Sequence, residues 1–133
     1  LTGLLLELGT GFAFMGRRYH LVAGGQDFYI DLLFYNVKLR SYIVVELKNA
    51  PFKPEVVGKL NFYLSAVDDL LCSEHDNPSI GLLLCKTKDN VVAEYSLRDV
   101  EKPIGVSECR LADVLPEGFA DLLPSAEDIE KRL

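Results

Sequence analysis

The chain has 133 residues, 49% of them hydrophobic and 26% charged, the composition of one folded domain with a single core and not of a disordered tail. Its longest wholly apolar runs, such as Leu82 to Cys85, fall far below the roughly 20 residues that a membrane-spanning helix needs. The net charge of −6 weighs against a polyanionic partner until its distribution is read: residues 1–66 hold seven Lys or Arg against five Asp or Glu, and residues 67–133 hold seven against fifteen, so the first half is suited to meet phosphate.

In chain order, Leu4, Leu5, Leu6 and Leu8 form a short apolar turn closed by Gly9-Thr10-Gly11, which predicts the end of a helix that begins ahead of Leu1. A start without Met or a signal-peptide pattern reads as a fragment of a longer protein. Phe12 to Val22 alternates large apolar residues with small or charged ones, Gly24-Gly25 supplies a hairpin turn, and Asp27 to Tyr35 is the returning strand. After the polar break Lys38 to Ser41, Tyr42 to Leu47 completes a three-strand meander, which Pro51 and Pro54 end.

Beyond them Val56, Leu60, Leu64, Val67 and Leu71 recur at helical spacing and predict a long helix from Glu55 to Leu71. Ile80 to Cys85 and Pro103 to Glu108 read as two further strands. Asn90 to Val100, between them, fits either a helix capped by Asn90 or another strand. Pro116, Pro124 and the Ser125-Ala-Glu-Asp signature point to a short surface helix near the end. The order αβββαβ(α)β predicts an α/β domain in which a mixed central sheet is flanked by helices on both faces. Cys72, Cys85 and Cys109 are odd in number and lack metal-ligand spacing, so a reduced, cytoplasmic protein without structural zinc is expected.

Two strands carry charge where burial is expected. Asp31 sits inside Phe28 to Phe34, and Glu46 and Lys48 close Ile43 to Lys48. An unpaired carboxylate costs roughly several kcal/mol to bury, so each needs a partner. Alternation sets Glu46 and Lys48 on one face, with Leu47 on the other. If the second and third strands are antiparallel neighbours, Asp31 lies beside Glu46. Two such carboxylates repel unless a divalent cation joins them. An oxygen-only donor set suits Mg²⁺, with Mn²⁺ as an alternative, and Lys48 is placed to orient an attacking water or to offset charge at a phosphate. The plainer alternative is a salt-bridge cluster that only stabilises the sheet.

The spacing Asp-x14-Glu-x-Lys ahead of a long helix matches the PD-(D/E)XK nuclease pattern, which alone is weak. Beyond it, residues 11–20 (GFAFMGRRYH), 25–35 (GQDFYIDLLFY), 45–48 (VELK), 58–69 (GKLNFYLSAVDD), 79–86 (SIGLLLCK) and 102–108 (KPIGVSE) closely resemble the YhcG-like family of bacterial PD-(D/E)XK nuclease domains over nearly the whole chain. That resemblance implies a restriction-endonuclease-like fold across residues 1–133, in a fragment that lacks the helical N-terminal domain of the family's longer proteins. It also implies a Mg²⁺-dependent DNA endonuclease with Asp31 and Glu46 as metal ligands and Lys48 as the catalytic lysine. A QxxxY helix motif of related nucleases falls on Lys59 and Tyr63, with Lys in place of Gln.

Glu7 is a candidate for a further metal-site carboxylate, and Lys59 and Tyr63 are auxiliary candidates; Tyr63 also fits a plain core position. Arg17, Arg18, Lys53 and Lys59 are candidate phosphate contacts. Asp27 is expected to cap the hairpin turn and His20 to be structural or to face solvent. DNA is the expected partner, a homodimer would let one site cut each strand, and no membrane is involved. The competing function is a nuclease-fold binding or protein-interaction module without turnover.

Overall fold

The computed structural model of the chain describes residues 11–108. Strand β1 (Phe12–Ala23) and strand β2 (Gln26–Asn36) form a hairpin. Its turn residues Gly24 and Gly25 have φ of +60° and +74°, the left-handed pair that a two-residue turn needs to match strand twist and that glycine adopts freely. β3 (Ser41–Pro51) pairs antiparallel with β2, from Asn36↔Ser41 to Leu32↔Val45.

Helix α1 (Glu55–Leu70) then crosses to β4 (Ile80–Thr87), parallel to β3, and α2 (Asn90–Leu97) crosses to β5 (Ile104–Glu108), parallel to β4. The five strands lie in chain order in one mixed sheet. β3 runs four residues past its predicted end, to Pro51, which pairs with Thr87. The expected helix ahead of β1, and the one near the chain's end, lie outside the described residues.

α1 buries Val57, Leu60, Tyr63, Leu64 and Val67, a stripe at three- and four-residue spacing that stacks on the sheet. Each such aliphatic side chain contributes about 1.5–3 kcal/mol by leaving water. The helix can come this close because β4 offers Gly81, where a Cβ would stand 3.0 Å from Leu64 Cδ1 and 3.1 Å from Leu60 Cγ. Leu33, Val44, Leu83, Cys85 and Val106 complete this core from the strands, and Ala93 of α2 joins it. A second apolar cluster, with Leu32, Phe34, Ile43, Val45, Leu47, Leu82 and Leu84, occupies the other face of the sheet.

The undecided stretch after β4 is helical, and its cap is Asp89, not Asn90. The Asp89 carboxylate accepts from Val91 N–H at 2.9 Å and Val92 N–H at 3.0 Å, which satisfies two of the orphan donors of a helix start.

Candidate active site

β2 and β3 cease to pair through their backbones beyond Leu32↔Val45, and the next residues on each strand are Asp31 and Glu46. There the side chains replace the ladder. Asp31 N–H donates to Glu46 Oε1 at 3.4 Å, and Leu47 N–H donates to Asp31 Oδ2 at 2.9 Å. Strand separation frees these two backbone donors, and the carboxylates satisfy them. Asp31 and Glu46 thus meet at one place, as antiparallel pairing predicts.

Glu46 is 2% exposed, yet its Oε2 has no hydrogen-bond partner. The nearest positive charge is Lys59 on α1, whose Nζ stands 3.6 Å from that oxygen, too far for a hydrogen bond. Burial first, and then the negative charge of Asp31, push the Glu46 carboxyl from an ordinary 4.5 up to about 8, against the opposing pull of Lys59. Partial burial works against the Lys59 ammonium, but the charge of Glu46, ahead of Tyr63 and Asp31, leaves its pKa raised. Its Nζ lies 5.6 Å from the centre of the Tyr63 ring. Tyr63 is a core residue, 4% exposed.

Lys48 follows Glu46 by two on β3 and lines a cleft of about 140 Å³ with Phe52, Lys53, Val56 and Cys85. Phe52 and Cys85 belong to the helix-side core, so Lys48 occupies the face that alternation predicts. Among the described residues no three His, Cys, Asp or Glu side chains converge as a metal cluster, and Glu7 lies outside those residues. A wider cavity of about 490 Å³ between α1, α2 and residues 99–102 contains none of the predicted site residues.

Asp31 is also a pivot of β2. Strict alternation would set Ile30, Leu32 and Phe34 on one face, but Ile30 joins the helix-side core while Leu32 and Phe34 join the opposite cluster. Across the hairpin, the pairs Arg17↔Leu32 and Tyr19↔Ile30 bracket Arg18 and Asp31. Arg18 has φ of +44°, a left-handed conformation unusual for a residue with a Cβ. A bulge between Phe14 and Gly16 adds to the local bend.

Beyond the pivot the hairpin continues as an arm without β3 beside it. On its exposed side the Arg18 guanidinium lies 5.2 Å from the centre of the Tyr29 ring, and the His20 ring stacks on Tyr29 at 5.0 Å. His20 Nε2 and Asp27 Oδ1 are hydrogen-bonded at 2.6 Å, so the Asp27 side chain reaches across the hairpin and does not merely cap its turn. The predicted cations occupy separate places: Arg17 and Arg18 where the arm leaves the sheet, Lys53 beside Lys48, and Lys59 against Glu46. Sequence reasoning missed the Tyr29 stack and the Lys59–Glu46 pair; the four-residue spacing of Lys59 and Tyr63 was the available signal for the latter.

The sequence profile of the YhcG PDDEXK nuclease domain matches residues 1–124. The chain belongs to this family. It is 35% identical over 111 residues to the Escherichia coli (strain K12) protein named "Putative nuclease YhcG", covering 84% of this chain and 30% of that protein. Two solved structures share the fold. The EndoMS–dsDNA2 complex superposes with a TM-score of 0.53 at 18% identity over 80% of this chain and 42% of the other. A repair endonuclease from Pyrococcus abyssi superposes with 0.51 at 16% identity over 80% and 44%. The chain therefore spans less than a third of its curated relative and less than half of either structure. The mixed five-stranded sheet with its crossover helices is a restriction-endonuclease-like nuclease domain.

Proposed function

We propose that this PDDEXK nuclease domain hydrolyses DNA phosphodiester bonds as a Mg²⁺-dependent endonuclease, with Asp31, Glu46 and Lys48 as its chemical centre. The observation that carries the reading is Glu46 Oε2, a carboxylate oxygen that is buried beside a second carboxylate and lacks a hydrogen bond. Such an atom needs positive charge that the described residues supply only partly, through Lys59. Two oxygen donors fit Mg²⁺, which keeps several waters and accepts substrate phosphate oxygens. When bound, such a cation supplies charge to the scissile phosphate and lowers the pKa of a coordinated water.

The chain's own residues do the rest. Asp31 and Glu46 would hold the cation, and each carboxylate is already oriented by a backbone N–H, so little motion is needed at the moment of reaction. Lys48 orients the attacking water or offsets charge on the phosphate. Arg17, Arg18 and Lys53 contact flanking phosphates, Tyr63 positions Lys59, and Glu7 is a further candidate carboxylate. We place the domain in the cytoplasm, and a two-fold pair of copies would cut both strands of a duplex.

Cleavage of supercoiled plasmid by the chain with Mg²⁺ tests this. Glu46→Gln keeps the volume and removes a ligand charge, so cleavage should fall by about 10³-fold or more. Lys48→Ala should lower turnover while leaving DNA binding in place. Cleavage at the wild-type rate by either variant rejects the assigned role.

A further inference from the structure

Lys59 is a charged group at the centre to which no step of the hydrolysis above is assigned. Its ammonium faces the one oxygen of Glu46 that nothing else satisfies. The contact is an ion pair without a hydrogen bond, at 3.6 Å, between a side chain 47% exposed and one 2% exposed. A lysine on a flexible stem that reaches solvent can leave such a seat, whereas the buried carboxylate cannot. In this seat the ammonium also lies over the Tyr63 ring, one turn along α1 and 5.6 Å from its centre.

We propose that Lys59 is the resident counter-ion of the Asp31–Glu46 pair and is exchanged for a divalent cation, so that it sets how readily the site loads. The inference rests on the metal-site reading above. A single positive charge at 3.6 Å offsets the buried Glu46 and the part-buried Asp31 incompletely, and Glu46 Oε2 is left without a hydrogen bond. A divalent cation bonded to both carboxylates would offset them more fully. Lys59 cannot keep its place beside Glu46 Oε2 at no cost once that cation arrives, because like charges would then share one oxygen. Loading is therefore a competition. It is eased when a phosphodiester is present, since the displaced ammonium gains an anionic partner on the same face.

Calorimetric titration of the chain with Mg²⁺, without DNA, reads this directly. Lys59→Met keeps the stem and removes the charge, so Mg²⁺ should bind about tenfold more tightly, while Lys59→Arg should stay near the wild type. In the wild type, Mg²⁺ should raise the rate of amine acylation at Lys59 several-fold and leave the exposed Lys86 unchanged. Equal Mg²⁺ affinity in wild type and Lys59→Met, or no change in Lys59 labelling, overturns the exchange; if Glu46→Gln still abolishes binding, the metal site itself stands. Absence of Mg²⁺ binding from both wild type and Lys59→Met, or binding indifferent to Glu46→Gln, overturns the metal-site reading and this inference together.

Discussion

The two halves of the sheet are built for different tasks. β3, β4 and β5 run parallel beneath α1 and α2, and their central residues, among them Val44, Leu83 and Leu84, are 2% exposed or less. The β1–β2 arm has backbone pairing on one side only past Leu32, and it shows Arg18, His20, Val22 and Tyr29 to solvent. Asp31 and Glu46 lie on the seam. In the parallel half β4 is paired on both sides, so its backbone donors are taken up by the ladder, and on the open arm a carboxylate would be hydrated. Where the strands separate, the Asp31 and Leu47 N–H groups are left to side chains, and there the buried Glu46 and the part-buried Asp31 are held against the backbone.

The contrast can be broken most severely through packing. Leu64→Ala removes a fully buried side chain from between α1 and β4, next to Gly81, and should cost about 2–5 kcal/mol in denaturant unfolding. Tyr29→Ala on the arm should cost about 1 kcal/mol or less, since its ring is half exposed. The inner side of the arm, with Leu21 and Ile30, shares the core of α1, so equal losses would mean that its outer side, with Tyr29, carries as much of the fold as that core does.

A pH-dependent effect tests the seam. The folded chain holds the Glu46 proton more tightly than the unfolded chain does, with a pKa of about 8 against an ordinary 4.5. Raising the pH through that window must then strip a proton from the folded state that the unfolded state has already lost, so stability falls with rising pH and levels off above about 8. The slope from this one group is at most about 1.4 kcal/mol per pH unit. Glu46→Gln should flatten the metal-free profile between those values. A variant as steep as the wild type would show that other groups carry the pH dependence.

Both halves were legible in the sequence to different depths. Strand alternation and the Gly24-Gly25 turn marked β1 and β2, and the spacing of Leu60, Leu64 and Val67 marked α1, because burial of one face writes its period into the chain. Asp31, Glu46 and Lys48 stood out as charges inside apolar runs, and the structure brings the first two together across antiparallel strands. The helical state of residues 90–97 was undecided because the segment is short and buries only Ala93, which leaves almost no periodic signal. The Lys59–Glu46 pair depends on how α1 lies over β3, a tertiary placement that no local pattern encodes. The turnover of β2 at Asp31 was hidden for the opposite reason: alternation assumes an even strand, and a strand that pivots violates the assumption where the site is built.

The smallest expected effect separates what the arm does for folding from what it does for binding, and Arg18 is the residue on which to test it. Its left-handed backbone, φ +44°, costs a residue with a Cβ roughly 1 kcal/mol that glycine does not pay, though glycine also gives the unfolded chain more freedom to lose. Arg18→Gly should therefore leave stability unchanged or raise it by up to about 1 kcal/mol, whereas Arg18→Ala keeps the strain and loses the packing over Tyr29. Both remove the guanidinium, so both should weaken DNA binding by about threefold to tenfold and lower the slope of log affinity against log salt by about 1. A strained position that glycine improves without harm to DNA binding would make the bend a feature of folding alone. Equal loss of binding in both variants, with stability diverging between them, would mean that the strain is kept for the arginine it presents over Tyr29.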